Sequence, residues 1–272
     1  MNQRAELAHA FPQPGFVTVG DRRLRHLITR GTGDAVVLVH GFGGRFENWR
    51  ENHAALAATG RTVAALDLPG HGESSTDVGG GSLDELASAV LGYLDAVGLV
   101  RAHLVGHSMG AAVCLVLADR VPQRVRSLTL IGPAGIGQKI NADFIRGFVT
   151  ASSHEELAPL LGFLFADPAH VTPQLLEQML QPKQRAGASE ALARIAGSRY
   201  SGTPSGGSLR DVAGRVPTLV VWGAEDAVIP PPVAGEFAAP GVELHVLPGR
   251  GHMVQTEAAA EVNRLIEAFL GR

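Results

Sequence analysis

The chain has 272 residues, 45% hydrophobic and 18% charged, with a formal net charge of −3. That is an ordinary globular composition, long enough to bury a core without staples. It excludes a basic face for nucleic acid and a polybasic membrane patch, and Cys114, the one cysteine, excludes an internal disulfide.

Residues 1–15 read as a polar tail. The opening Met-Asn-Gln-Arg is unlike a signal peptide, and no stretch approaches the roughly 18 apolar residues of a membrane helix. A cytoplasmic protein acting on a small molecule is expected, with no metal or organic cofactor implied and the oligomeric state left open. Next, Phe16–Val19 and Leu24–Thr29 flank the turn residues Gly20-Asp21, a hairpin signal. Ala35–Val39 is a continuous apolar run, as in a strand buried on both faces of a parallel sheet. Thr62–Leu66, His103–Val105, Ser127–Ile131 and Thr218–Trp222 are similar, and Val242–Leu247 alternates as a last strand would. Leu83, Leu86, Ala87, Val90, Leu91 and Leu94 recur at helical spacing, and Ala111–Leu117 and Ala258–Leu270 also read as helices. Cys114 falls inside one of these apolar runs and reads as a small core residue.

This alternation predicts an α/β fold, a mostly parallel central sheet flanked by helices with an antiparallel hairpin at one edge. One region departs from it. Residues 136–210 carry no convincing strand but hold helical patterns at Ala142–Val149, Glu155–Phe165 and Pro173–Leu180, and a Gly/Ser/Pro-rich loop at 201–208. We expect a core of residues 16–135 and 211–272, with 136–210 inserted as a helical cap.

Chemistry gathers at the strand ends. Gly106-His-Ser108-Met-Gly110 follows one strand and opens a helix, so a sharp turn would expose the Ser108 hydroxyl as a nucleophile. The pattern alone is weak among 34 glycines, and the bland alternative is a serine capping the helix. His40-Gly-Phe42-Gly-Gly follows an earlier strand. The backbone N–H groups of Phe42 and Met109 are the candidate oxyanion donors. After the strand Thr218–Trp222 comes Gly223-Ala-Glu225-Asp226, and after the last strand comes Gly249-Arg-Gly251-His252. His252 is the candidate base and Asp226 the group orienting it, with Glu225 as the alternative acid. Of the other histidines, His107 should point away from the nucleophile, His103 and His107 make an improbable metal pair, and His71 lies in a turn sequence. Phe144, Phe148, Phe163 and Phe165 fall in the cap; the first three are the candidate substrate contacts, an apolar roof, with plain cap packing as the alternative. Arg146, Lys183 and Arg185 read as solvated surface, or as partners for a substrate carboxylate.

Together, His40-Gly-Phe-Gly-Gly, Asp67-Leu-Pro-Gly-His-Gly-Glu-Ser, Gly106-His-Ser-Met-Gly, Trp222-Gly-Ala-Glu-Asp and Gly251-His252 resemble the α/β-hydrolase superfamily over residues 16–272. The order Ser, acid, His matches that of the superfamily. Gly41-Phe-Gly-Gly, Asn48-Trp49, Gly132-Pro-Ala-Gly-Ile136 and His252-Met-Val-Gln-Thr-Glu257 are similar to the hydrolase-like domain of the acetoin dehydrogenase dihydrolipoamide acetyltransferase component. In that group a lipoyl domain precedes this one; residues 1–15 are too short to hold it, and the His-x-x-x-Asp-Gly motif of ordinary dihydrolipoamide acyltransferases is absent. Carbon–carbon bond hydrolases of aromatic breakdown share the layout but commonly have Asn in place of His107 and an aromatic residue in place of Met253. The resemblance implies a carboxylesterase-like serine hydrolase, cleaving a small ester, thioester or activated carbonyl through an acyl-enzyme on Ser108. The alternatives are an acyltransferase using the same residues and a non-catalytic ligand-binding protein.

Overall fold

A computed structural model describes residues 13–136, 139–198, 209–232 and 241–272. The readings made for residues 1–12 and for the loop at 201–208 lie outside them. Eight strands run β1 (Gly15–Val19), β2 (Arg22–Thr29), β3 (Gly33–Val39), β4 (Arg61–Leu66), β5 (Ala102–His107), β6 (Val125–Ile131), β7 (Thr218–Gly223) and β8 (Val242–Leu247). They form one sheet in the order β1-β2-β4-β3-β5-β6-β7-β8. β1 pairs antiparallel with β2, and β2 antiparallel with β4; every other pairing is parallel. This is the mostly parallel sheet with an antiparallel edge hairpin that the sequence implies.

The two-residue strand period divides the core into two layers. Val37 and Val39 of β3 face one layer, with Leu86, Val90 and Leu94 of α2 (Leu83–Ala96) and Val113 of α3 (Met109–Arg120). Val36 and Leu38 face the other, with Leu56 of α1 (Arg50–Ala58), Val262 and Ile266. Between β6 and β7 the described chain carries α4 (Ala142–Thr150), α5 (His154–Leu161), α6 (Pro173–Leu180), α7 (Ala188–Ser198) and α8 (Leu209–Ala213). Among the described residues no helix is long and apolar enough to cross a membrane.

Several elements differ from their sequence expectation. The helix expected over Glu155–Phe165 stops at Leu161, where Gly162 caps it, and Ser153 begins it by accepting from the Glu156 N–H. The helix expected over Ala258–Leu270 forms as α10 (Ala259–Leu270); a short α9 (Val254–Glu257) precedes it, and the non-helical backbone of Ala258 separates the two. Helix α1 carries no clear apolar period because its buried face holds Asn52 and His53; Asn52 Nδ2 donates to Asn263 Oδ1 of α10 at 2.7 Å.

Close backbone crossings set the packing around the strand ends. A Cβ on Gly106 would lie 2.6 Å from the Ala111 Cα, and one on Gly110 would collide with the carbonyl oxygens of Val39 and His40. Gly197, in α7, has open space around it. Chemical denaturation should therefore separate two alanine variants by sign. Gly110→Ala loses about 1–3 kcal/mol to overpacking, whereas Gly197→Ala gains about 0.5–1 kcal/mol from helix propensity.

Candidate active site

Ser108 stands alone between the end of β5 and the start of α3, with φ 53° and ψ −117°. It is the one non-glycine residue with positive φ among those described. Such a backbone costs about 1–3 kcal/mol and persists only where its surroundings hold it. Here the Ser108 N–H donates to the Ile131 carbonyl at 2.9 Å. Its own carbonyl accepts from Ala111 at 3.1 Å and from Ala134 at 3.2 Å. The side chain makes no capping hydrogen bond to α3, so the bland alternative for this serine does not apply.

The carboxylate–imidazole pair is built from the loops after β7 and β8. His252 Nδ1 donates to Asp226 Oδ2 at 2.7 Å, and both side chains are buried. Asp226 Oδ1 accepts from Val228 N–H at 2.9 Å and Ile229 N–H at 2.8 Å, while Trp222 Nε1 donates to Oδ2 at 3.1 Å. These donors fix the carboxylate before it meets the ring. With Nδ1–H committed to Asp226, Nε2 is the ring atom left to take a proton. Glu225 turns elsewhere: its Oε2 accepts from the Arg250 N–H at 2.9 Å. Gly132, at φ +47°, lets the chain pass under the pair, where a Cβ would come within 3.3 Å of both His252 Nδ1 and Asp226 Oδ2.

The loop after β3 lies directly against the serine. A Cβ on Gly41 would sit 3.0 Å from the Ser108 Cβ and 2.9 Å from His107 Nδ1. His40 anchors this loop from below: Nε2 accepts from the Leu68 N–H at 2.9 Å, so Nδ1 carries the proton and donates to the Gly41 carbonyl at 2.7 Å. Asp67 anchors its far end, accepting from the Phe46 N–H at 2.8 Å and the Glu73 N–H at 3.0 Å. Phe42 follows Gly41 on the cavity wall, and Met109 begins α3, where the first N–H groups have no intrahelical acceptor.

His107 corrects an expectation. Its ring does not point away from the site: it lines the same cavity as Ser108 and packs 4.6 Å from the His252 ring, centre to centre. Its Nε2 donates to the His252 carbonyl at 3.0 Å, fixing the backbone that carries the imidazole. The sequence signal was adjacency to the serine, but the turn at Ser108 overrides strand alternation.

Ser108, His107, His252, Phe42 and Asn48 face one cavity. Its roof is apolar: Phe144 and Ile145 of α4, Leu161 of α5, Leu164, Phe165, and Leu175 and Met179 of α6. Of the three candidate substrate contacts, Phe144 is on this wall. Phe148 lies behind it, against Phe144 and Phe42 at ring distances of 5.9 Å. Phe163 is not on the wall; α5 ends before it, and the turn after Leu161 directs Leu164 and Phe165 inward instead. Lys183 is not solvated surface. It is buried, and its ammonium donates to the Phe148 carbonyl and, at 3.4 Å, to that of Val149 near the end of α4; burial lowers its pKa to about 8. Arg146 pairs with Asp143 at the surface, and Arg185 donates to the carbonyls of Gly72 and Ser74. No arginine, lysine or carboxylate lines the cavity among the described residues. Nor do three His, Cys, Asp or Glu among them gather as a metal site would require.

Burial keeps several histidines here neutral. It pushes His40 and His107 well below the usual imidazole range and His71 to about 4. Burial acts on Asp67 in the opposite sense, raising its carboxyl to about 7 against the N–H bonds of Phe46 and Glu73. Below about pH 6.5 the unfolded chain takes up imidazole protons that the fold refuses, so the histidine contributions fall with acid. Asp67 works oppositely, its contribution falling as pH rises toward 7, but it sets one group against three. Stability should decline from pH 6.5 to 4.5. His71→Asn, which can still donate to the Pro69 carbonyl that His71 Nδ1 faces at 3.0 Å, should flatten that slope by about one proton, or about 1.4 kcal/mol per pH unit. Urea unfolding across this range reads the difference.

Over residues 34–259 the chain matches the family described as alpha/beta hydrolase fold. The dihydrolipoyllysine-residue acetyltransferase component of the acetoin cleaving system of Pseudomonas putida is 50% identical over 260 residues, 95% of this chain and 70% of that one. The 2-hydroxy-6-oxononadienedioate/2-hydroxy-6-oxononatrienedioate hydrolase of Cupriavidus pinatubonensis is 32% identical over 275 residues, 94% of each chain. Among solved structures, the 2-hydroxy-6-oxo-6-phenylhexa-2,4-dienoate hydrolase of a Rhodococcus species superposes with a TM-score of 0.83 at 23% identity, over 96% of this chain and 99% of that one; this likeness concerns the fold. By sequence and architecture alike, the chain belongs to the α/β-hydrolase fold family.

Proposed function

We propose that the protein is a serine hydrolase acting on a small, uncharged acyl ester or thioester. The observation that carries this reading is the buried 2.7 Å bond from His252 Nδ1 to Asp226 Oδ2, beside a cavity shared with the strained Ser108. His252 Nε2 takes the Ser108 proton as Oγ attacks the carbonyl carbon, and the resulting tetrahedral oxyanion is met by the N–H groups of Phe42 and Met109. The proton passes to the leaving alcohol or thiol, leaving an acyl-enzyme. Water, activated by His252, then releases the acid and restores Ser108. Asp226 holds the ring in the tautomer this exchange needs.

The α4–α6 roof supports the substrate class. An acyl chain against Phe144, Leu164 and Phe165 gains from leaving water. A carboxylate on that chain would be desolvated without a cation among the described lining residues. The relatives named for dienoate or dienedioate hydrolysis are named for such anions, which this lining does not suit. Acyl transfer is the second reading, favoured by the 50% identity to an acetyltransferase component. It uses the same acyl-enzyme with a thiol or alcohol in place of water.

A fluorophosphonate probe should label Ser108, seen by peptide mass spectrometry, and Ser108→Ala should lose the label. Asp226→Asn should lower kcat by about 10⁴-fold while the protein stays folded, the scale expected when the base is held in the wrong tautomer. A p-nitrophenyl ester with a neutral acyl chain should be cleaved at least about tenfold better, in kcat/KM, than one whose acyl chain ends in a carboxylate. Absence of labelling in folded protein would overturn the hydrolase reading.

A further inference from the structure

A second cleft lies on the other side of the loop that walls the catalytic cavity. Arg23, Arg25, Arg45 and Arg185 line it, with Glu73 and Phe16. The two spaces share a wall one turn thick: Gly44 and Asn48 face the cavity, and Arg45 between them faces the cleft. Arg45 N–H donates to Asn48 Oδ1 at 2.7 Å, so the wall is itself ordered.

The arginines are not all spent on protein carboxylates. Arg25 is engaged, at 2.9 Å by Glu47 and 3.2 Å by Glu73, and Arg45 faces Glu47 at 3.5 Å. Arg23 and Arg185 have no carboxylate partner among the described residues. Arg185 is held by the Gly72 and Ser74 carbonyls, which orient its guanidinium without neutralising it. Arg23 lies 3.6 Å from the centre of the Phe16 ring, which is 41% exposed. An arginine excess beside an exposed aromatic ring suits a phosphate next to a flat heterocycle, since guanidinium forks match phosphate geometry and both groups stack. The catalytic cavity, by contrast, offers no cation to an anion among its described lining residues.

We propose that this cleft is a phosphate subsite that holds the phosphorylated, nucleotide-like tail of an acyl thioester whose acyl group enters the catalytic cavity. The inference rests on Ser108 being the nucleophile and adds the leaving group's identity to that reading. Ser108 Oγ bonds to the acyl carbon as the C–S bond breaks, the thiolate leaves with the proton held by His252, and the phosphates stay outside in the arginine cleft throughout. Charge and acyl group are thus sorted to opposite sides of the 44–48 wall.

Kinetics on the full chain should compare S-acetyl coenzyme A with S-acetyl-N-acetylcysteamine, which presents the same thioester without phosphates. The expected result is a kcat/KM at least about tenfold higher for the phosphorylated donor, entering through KM and shrinking as salt is raised. Arg23→Glu should remove most of that preference. Calorimetric titration of Ser108→Ala protein with inorganic pyrophosphate reads the cleft without catalysis, and binding there should be lost on adding Arg23→Glu. Equal kcat/KM for the two donors at low salt, or no pyrophosphate binding at millimolar concentration, would overturn the subsite. Turnover of the truncated thioester alongside either result would leave the Ser108 reading standing, whereas pyrophosphate binding without turnover of any ester would leave the cleft and remove the nucleophile.

Discussion

The structure depends on one strained residue. Ser108 occupies φ 53°, ψ −117°, a backbone that an L side chain resists, at the only point where β5 passes into α3. What holds it is the absence of side chains around it. Gly41, Gly106 and Gly110 each occupy a position where a Cβ would come to 3.0 Å or closer to neighbouring atoms. Backbone can therefore pack on backbone, and the hydrogen bonds to Ile131, Ala111 and Ala134 hold the turn from three directions. The parallel register carries this outward. Gly106 pairs with Leu130 of β6, and Ile131 with Val221 of β7, so the strand that ends at the serine is aligned with the strand whose loop supplies Asp226.

A second layer of neutral groups supports the first. His40 and His107 each use a ring nitrogen to hold a backbone carbonyl, of Gly41 and of His252. Both rings do this as uncharged imidazoles because burial forbids the proton. Asp67 ties the residues after the 40–44 loop to the 67–74 loop through Phe46 and Glu73. The positions of Ser108 and His252 thus rest on polar contacts a step removed from them, which links the geometry of the candidate site to the same protonation states that govern acid stability.

This division also explains what the sequence discloses. The strands are legible because each is a short apolar run buried on both faces, and the candidate residues Ser108, Asp226 and His252 stand out because each follows such a run in a glycine-marked loop. The roof is not legible, because a helical period says which residues are apolar but not where a turn will redirect them. The end of α5 at Leu161 replaces Phe163 with Leu164 and Phe165 on the cavity wall. Lys183 misleads in the same way, since its charge reads as solvent-facing while its ammonium caps the carbonyls at the end of α4. His107 misleads because alternation along β5 fails at the very turn that makes the serine useful. Helix α1 hides because its buried face is polar: Asn52 finds Asn263 at the far end of the chain, and His53 Nε2 meets the Val63 carbonyl.

The proposed hydrolysis requires the strained Ser108 to carry the acyl group covalently. Rapid mixing of the protein with p-nitrophenyl acetate, acid quenching within the first turnover and peptide mass spectrometry test it most directly. The account predicts one acetyl group on Ser108, formed in a burst together with one equivalent of p-nitrophenol. Release of p-nitrophenol with Ser108 unmodified at every quench time, or with the acetyl group on another residue, would contradict it.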